Sequence, residues 1–196
     1  MNNMKFTTRQ IEIINAATEI IGLKGVQKLT TKSLAAKMNF SEPALYRHFK
    51  DKNEILRSIL LYFKGNMREG LNNVISENKT GLEKIIDTIS FQFNFFVKYP
   101  AVIMVIFSET SFQNDENLSI TVKEIVDDKR KIVKAILLSG QKDGSIRSDL
   151  KTNQLTNIIM GSMRITVLNW RLHGFDFDLQ KEGEELIKTL KIILKK

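Results

Sequence analysis

The stretch Thr30–Leu56, TTKSLAAKMNFSEPALYRHFKDKNEIL, decides the fold of the N-terminal part of this chain. Thr30 and Ser41 each precede a short run of helix-forming residues, and their hydroxyls can accept hydrogen bonds from the free N–H groups at a helix start. Pro43 falls in the first turn of the second run, where its missing N–H is harmless. The stretch therefore predicts two short helices separated by about three or four residues.

The connection between these two helices needs one residue in the left-handed backbone conformation. Asn39 is one of the few residues other than glycine that tolerate this conformation. The small residues Ala35 and Ala36 allow the second helix to cross the first closely, and Phe40 is expected to enter the small core. This arrangement is a helix-turn-helix unit, whose second helix enters the major groove of duplex DNA with its N-terminal residues leading.

The wider N-terminal sequence resembles a known family. Three short helices, the segment ALYRHFKDKNEIL and a long fourth helix look like the tetracycline-repressor (TetR) family of bacterial one-component regulators. The match is specific over about Thr8 to Leu60, above all in the spacing Leu45-Tyr46-x-His48-Phe49-x-x-Lys52. Beyond that it rests on helix number, chain length and the loop Asp143–Asp149. Many members have glycine at the position of Asn39.

The resemblance implies a domain organisation and a mode of action. Residues 1–52 are predicted to form a helix-turn-helix DNA-binding domain, and residues 53–196 a helical domain for ligand binding and dimerisation. The implied function is that of a transcriptional repressor, released from double-stranded DNA by a small-molecule effector. The rival hypothesis is a helical partner-binding protein without DNA-binding activity.

Five residues are predicted to contact DNA phosphates. The resemblance implies this role for Tyr46 and His48, on the exposed side of the third helix, and for Lys52 after it; their side chains carry suitable donors. Thr31 and Lys32, at the start of the second helix, are further candidates. The alternative for Tyr46 is a tyrosine that packs in the core.

The residues at the start of the third helix, beginning with Ser41, are predicted to enter the major groove and contact base edges. Arg47 can form two hydrogen bonds with a guanine edge, and Glu42 can accept one from cytosine N4. Pro43 or Ala44 can touch a thymine methyl group. For Glu42 and Arg47, a base contact and a solvated surface charge remain equal alternatives.

The charge distribution is compatible with a polyphosphate partner. The 196 residues contain 30 Lys and Arg against 22 Asp and Glu. Ten of these basic residues and only five of the acidic ones lie in residues 1–60. Such a bias is typical of nucleic-acid binding, although a solvated basic surface explains the charge alone equally well.

Hydrophobic spacing predicts an all-α protein of about nine helices, because apolar residues recur every three or four positions and no stretch alternates strictly. The fourth helix, about Asp51 to Asn78, is long enough to connect the two domains. The fifth is expected to end at Tyr99, because the residue before a proline disfavours the helical conformation. The sixth then begins at Pro100.

Aromatic side chains are concentrated in helices five, six and eight. A helical bundle can enclose an apolar or amphipathic ligand between such faces. An aromatic stripe at helical spacing is more often plain core, however. The residues predicted to line the ligand site are Phe91, Phe95, Tyr99, Met104, Phe107, Met163 and Trp170.

The last two helices carry apolar residues suited to a homodimer. The resemblance implies that they pair with their symmetry mates, which would place two DNA-binding domains roughly 34–36 Å apart on a palindromic operator. The residues predicted to form the interface are Ile158, Ile165, Leu186, Leu190 and Ile193.

Several other classes of protein are not expected. The two histidines, His48 and His173, are far apart in the chain, and no GxGxxG, P-loop, HExxH or GxSxG pattern is present. The absence of cysteine removes thiolate metal sites and Cys nucleophiles, so neither an enzyme nor a bound cofactor is expected. The apolar run Ala101–Phe107 is too short to span a membrane, and no secretory signal is recognised, which predicts a cytoplasmic protein.

Overall fold

The computed structural model of the protein describes residues 6–74, 78–107 and 115–195, and these ranges contain α-helices and no β-strand. The all-α class predicted from the sequence is confirmed. Within the described ranges no single helix is long and apolar enough to span a membrane, and only the consecutive helices Gly81–Lys98 and Pro100–Ile106 pass that criterion together. The helices are α1 (Thr8–Lys24), α2 (Thr31–Met38), α3 (Glu42–Tyr46), α4 (Lys52–Val74), α5 (Gly81–Lys98), α6 (Pro100–Ile106), α7 (Glu116–Lys142), α8 (Thr152–Leu172) and α9 (Leu179–Leu194). The predicted continuation of α4 to Asn78 runs through residues 75–77, which lie outside the described ranges.

Side-chain caps define the starts of the first three helices. Thr7 and Thr30 each form a capping box with the residue three positions later. The Ser41 hydroxyl accepts a hydrogen bond from the backbone N–H of Ala44 at 3.3 Å. Asn39 ends α2 with φ 55° and ψ 39°, which confirms the predicted left-handed turn.

By its internal contacts the chain forms two compact units. The first unit contains residues up to 66 together with the described part of 99–124, and the second contains the described parts of 67–98 and 125–196. The boundary therefore falls inside α4 and inside α7, and α6 belongs to the first unit. The predicted DNA-binding domain (residues 1–52) and ligand-binding domain (residues 53–196) are defined by function rather than by internal contacts, so their boundary stays a prediction.

In the first unit, α1 packs against α2 and α6. Its inner side chains Ile13, Ile14 and Ile21 are fully buried. Gly22 marks the closest approach to α6, because a Cβ placed there would lie 3.0 Å from the Cβ of Ala101. The helices of the helix-turn-helix unit thus share a core with α6.

In the second unit, α5 and α9 run antiparallel. Near the C-terminal end of α5, the Gln180 amide donates a hydrogen bond to Asn94 Oδ1 at 2.7 Å. One turn along α9, a Cβ at Gly183 would meet the ring of Phe93 at 2.6 Å, so the aromatic ring lies directly on the α9 backbone.

The loop between α7 and α8 contacts the start of α5 and the end of α9. Asp143 Oδ2 accepts a hydrogen bond from the backbone N–H of Gly81 at 2.8 Å, which caps α5. The hydrogen bond from the Ser145 side chain, followed by those from the backbone N–H groups of Gly81 and Ser145, lowers the pKa of the Asp143 carboxyl group. The backbone N–H of Arg147 donates to the carbonyl of Leu194 at 2.8 Å, which holds the last turn of α9.

The backbones of α5 and α7 touch where two glycines meet. A Cβ at Gly81 would lie 2.2 Å from the Cα of Gly140 and 2.9 Å from the carbonyl oxygen of Ile136. These are backbone atoms and cannot rotate away, so the contact requires glycine at position 81.

We therefore expect Gly81→Ala to destabilise the protein by about 2 kcal/mol or more, because the added methyl group forces two helix backbones apart. Gly65→Ala is the matched control: Gly65 is a helical glycine with open space around it, and alanine there should stabilise by about 0.5–1 kcal/mol. Thermal or urea unfolding of the purified variants measures both effects. Equal stability of the two variants would contradict the glycine contact.

Candidate DNA-binding surface

The structure shortens the predicted recognition helix. α3 comprises only Glu42–Tyr46, Arg47 is its C-cap, and His48 lies in the turn that follows. The expectation that His48 lies on the third helix was therefore wrong, because the chain leaves the helix before reaching it. Lys52 is the first residue of α4.

Two buried anchors set the orientation of this segment. Leu45 is 1% exposed and Phe49 is 2% exposed, so both side chains face the core of the first unit. Tyr46 and Arg47, between them in the chain, are consequently turned outwards, with Tyr46 49% exposed. The alternative that Tyr46 is a core tyrosine does not fit this exposure.

The starts of α2 and α3 are tied together by a hydrogen bond that the sequence did not predict. The hydroxyl of Thr31 donates to Glu42 Oε2 at 2.8 Å. A threonine hydroxyl has one proton to donate, so Thr31 has to release Glu42 before it can donate to a phosphate. The bond links the first residue of α2 to the first residue of α3.

The exposed cations around α3 are not neutralised locally. Lys32, Arg47 and Lys50 are exposed, and they form no ion pair with the described residues. By contrast, Arg9 is paired with Glu12, and Lys37 with Glu19. The start of α2 and the end of α3 therefore carry positive charge that has no ionic partner among the described residues.

Lys52 has an unfavourable position in the absence of an anion. Its side chain is half-buried, and this burial lowers the pKa of its ammonium group. It also lies in the first turn of a helix, where the helix dipole disfavours a positive charge. Both effects would be offset by a neighbouring phosphate.

Two residues of α1, which the sequence pattern does not single out, support the segment around α3. The side-chain amide of Gln10 donates to the carbonyl of His48 at 3.3 Å, which holds the turn after α3. The guanidinium of Arg9 lies 5.2 Å from the centre of the Phe40 ring. Phe40 is half-buried rather than enclosed, because it packs beneath this charged group at the surface.

The residues predicted to bind a ligand are divided between the two units. Tyr99, Met104 and Phe107 lie in the first unit, and Phe91, Phe95, Met163 and Trp170 lie in the second. Phe95, Met163 and Trp170 are buried, at 7%, 1% and 6% exposure. The indole N–H of Trp170 donates to the carbonyl of Phe177 at 2.8 Å, so this side chain is held in place by the turn before α9.

The residues predicted to form a dimer interface differ in exposure. Ile158 and Ile165 on α8 are 41% and 52% exposed. Leu186 and Ile193 on α9 are half-buried. Leu190 is 2% exposed and packs inside the second unit, so it presents no surface to a partner.

Comparison with known proteins shows two family matches that together cover most of the chain. A family model for bacterial regulatory proteins of the tetR family matches residues 13–59. A second model, for the C-terminal region of YsiA-like proteins, matches residues 63–193. The junction between the two matches lies inside α4.

Full-length relatives and solved structures agree with these matches. The chain is 26% identical over 182 residues to the fatty acid metabolism regulator protein of Bacillus subtilis, covering 93% of each sequence. The fatty acid degradation regulator FadR of Bacillus halodurans has a similar fold, with a TM-score of 0.82 at 18% identity, over 95% of this chain and 96% of that one. The regulator FadR of Bacillus subtilis in complex with stearoyl-CoA superposes with a TM-score of 0.77 at 24% identity, over 92% and 96%. On these matches and its all-α fold, the chain belongs to the tetR family of bacterial regulatory proteins.

Proposed function

We propose that this transcriptional regulator acts as a homodimeric repressor, whose two helix-turn-helix units bind a palindromic operator and are released by a fatty acyl ligand. The observation that carries the proposal is the outward-facing pair Tyr46 and Arg47, on a segment whose exposed cations Arg47 and Lys50 have no ionic partner in the part of the chain that the structure describes. No catalytic step is part of the proposal.

The proposed phosphate contacts and the proposed base contacts rest on different side chains. Tyr46 offers an exposed hydroxyl, and the half-buried Lys52 gains most from an anion; both suit the sequence-independent phosphate backbone. Arg47 follows α3 with an exposed guanidinium, which suits a guanine edge. Glu42 accepts the Thr31 hydroxyl through Oε2, which leaves Oε1 as an acceptor for cytosine N4.

The fatty acyl ligand is suggested by the relatives and by the second unit. The Bacillus subtilis relative is named for fatty acid metabolism, and a structure of FadR from that organism contains stearoyl-CoA. In this chain, the ring centres of Phe91 and Phe95 are 6.2 Å apart, and those of Phe95 and Phe96 are 6.3 Å apart. These rings give α5 an apolar side suited to an acyl chain.

The homodimer is supported by an exposed apolar row on α8. Ile158, Ile165 and Leu172 are spaced by seven residues and are 41%, 52% and 66% exposed. Residues seven apart lie on one side of a helix. Gly161, on the same helix, has no atom within 4 Å of the position of a Cβ, so a second helix can approach closely.

Selection of bound sequences from a random duplex pool tests the function as a whole. Recovery of an inverted repeat supports a dimeric repressor, because operator symmetry reflects protein symmetry. Absence of binding to every duplex at low salt favours the partner-binding alternative instead. Relief of operator binding by an added acyl compound tests the ligand part separately.

Two substitutions should weaken binding to all duplexes alike. We expect Tyr46→Phe and Lys52→Ala each to reduce affinity by roughly three- to tenfold, because each removes one phosphate contact. Lys52→Ala should also reduce the slope of log K against log salt by about 1. Lys142→Ala, which removes an exposed lysine of the second unit, is the control and should leave both quantities unchanged. A change of sequence preference in either test variant would refute the phosphate assignment.

Arg47→Ala should instead change which sequences are bound. Loss of a bidentate guanine contact relaxes discrimination at one base pair per half-site by about 1–3 kcal/mol. Repeating the duplex selection with this variant measures the effect. A uniform loss of affinity with an unchanged preferred sequence would assign Arg47 to the phosphate backbone.

Ile165→Glu should dissociate the dimer, since it places a charge in the proposed α8 interface. We expect sedimentation velocity to show monomers, and operator affinity to fall because only one half-site is held at a time. Leu138→Glu is the control, since Leu138 is comparably exposed at 50% but lies on α7. An Ile165→Glu variant that stays dimeric would exclude this face as the interface.

A further inference from the structure

Glu42 is the only acidic residue among residues 30–50, the part of the chain that holds the helix-turn-helix unit. Its carboxylate forms no ion pair with the described residues, although Lys32, Arg47 and Lys50 are exposed in the same segment. A negative charge on a surface that meets DNA is repelled by the phosphates. Glu42 therefore opposes the sequence-independent part of DNA binding, and a role for it has to come from the bases.

Thr31 holds one oxygen of this carboxylate. Its hydroxyl donates a hydrogen bond to Glu42 Oε2 at 2.8 Å, and both side chains are half-buried. A long side chain such as glutamate loses rotamer freedom when it is fixed. Because Thr31 already holds Glu42 in the protein without DNA, less of this loss remains for the moment of binding.

The backbone on both sides of this hydrogen bond is also fixed. At the start of α2, the Thr30 hydroxyl accepts a hydrogen bond from the Ser33 N–H at 3.0 Å, and Leu34 is fully buried. At the start of α3, Ser41 caps the helix and Leu45 is 1% exposed. The donor and the acceptor of the bond thus stand on two anchored helix starts, with Oε1 left as an acceptor.

An acceptor at this place can distinguish bases by one chemical group. An ionised carboxylate accepts hydrogen bonds and donates none. In the major groove, cytosine N4 and adenine N6 are amino donors, whereas guanine O6 and N7 and thymine O4 are acceptors. The start of the second helix of a helix-turn-helix unit leads into this groove. A carboxylate there is stabilised by an amino group and repelled by the other edges.

We propose that Thr31 is a positioning residue, which presents Glu42 Oε1 to the exocyclic amino group of one base in each half-site. Thr31 then acts through Glu42 and leaves the phosphates to Tyr46 and Lys52. Cytosine N4 and adenine N6 share the required chemistry. The inference rests on the proposed DNA-binding function and assigns a pair of residues that select one base within the operator.

The first test removes the amino group from the DNA. Within the sequence recovered from a random duplex pool, each cytosine is replaced in turn by its pyrimidinone analogue without the amino group, and each adenine by unsubstituted purine. We expect one replacement to weaken binding of the full-length protein roughly tenfold, because a charge-assisted hydrogen bond is lost. The same replacement should leave the affinity of Glu42→Ala unchanged. The replaced base identifies N4 or N6 as the group that is read.

The second test removes the hydroxyl of Thr31. Thr31→Val keeps the shape of the side chain and should reduce discrimination at that base by roughly two- to tenfold, since Glu42 then has to be ordered on binding. Thr31→Ser keeps the hydroxyl and should preserve the discrimination. In a Glu42→Ala background, Thr31→Val should have no further effect, because the two residues act as a unit. Discrimination at the base pair affected by Arg47→Ala is the internal reference and should not change.

Thr189→Val is the matched control for the loss of a threonine hydroxyl. Thr189 is exposed on α9, and its hydroxyl donates to the backbone carbonyl of Glu185 at 3.2 Å. This variant should bind every duplex as the wild type does. A change of base preference in Thr189→Val as large as that in Thr31→Val overturns the assignment.

A third measurement does not depend on the identity of the base. Removal of the negative charge in Glu42→Ala should raise the affinity for unrelated duplexes several-fold at low salt. If Glu42 only tied α2 to α3, Glu42→Ala and Thr31→Val would instead weaken binding to all duplexes alike and keep the base preference. That result overturns the proposal.

Two further outcomes separate this inference from the function on which it rests. If Thr31→Val loses affinity equally for all duplexes, with and without Glu42, the hydroxyl binds phosphate and the positioning role is wrong. If the wild type selects an inverted repeat but no amino-group replacement distinguishes it from Glu42→Ala, the repressor function stands and this inference fails. Absence of wild-type binding to every duplex refutes both.

Discussion

The candidate DNA-binding surface depends on one backbone torsion, the positive φ of Asn39. This turn reverses the chain between α2 and α3, and it is closed by a hydrogen bond from the Phe40 N–H to the Ala35 carbonyl at 2.9 Å. With the chain turned there, Leu45 enters the core and Tyr46 faces outwards. The outward arrangement of the candidate DNA-binding side chains therefore follows from local stereochemistry before any nucleic acid is present.

Features encoded by a few neighbouring residues could be predicted from the sequence. Helix caps at Thr30 and Ser41, the turn at Asn39 and the break at Tyr99 each depend on hydrogen bonds or sterics within one or two turns. The length of α3 could not be predicted in this way, because the helix ends where burial of Phe49 draws the chain back to the core. The hydrogen bond between Thr31 and Glu42 could not be predicted from the residue pattern either, because it depends on how the two helices cross.

The candidate effector region shows the same limit more strongly. The concentration of aromatic residues predicted one ligand site, but the two compact units divide these residues, with Tyr99 in the first unit and Trp170 in the second. The spacing of apolar residues predicts which face of a helix is buried. It does not predict which unit a helix joins, because that depends on contacts between residues far apart in the chain.

The placement of α6 in the first unit has a practical consequence for anyone who builds hybrid regulators from this chain. The ring centres of Phe63 and Tyr99 are 5.2 Å apart, and Gly22 packs against Ala101, so α1 and α4 are both covered by residues from about 40 to 80 positions further along the chain. A graft that exchanged only residues 1–52 would combine a foreign α1 with a native α6. Hybrid regulators made by exchanging the predicted DNA-binding domain should therefore keep α6 with the α1 that it contacts, or redesign the surface of α1 that α6 covers.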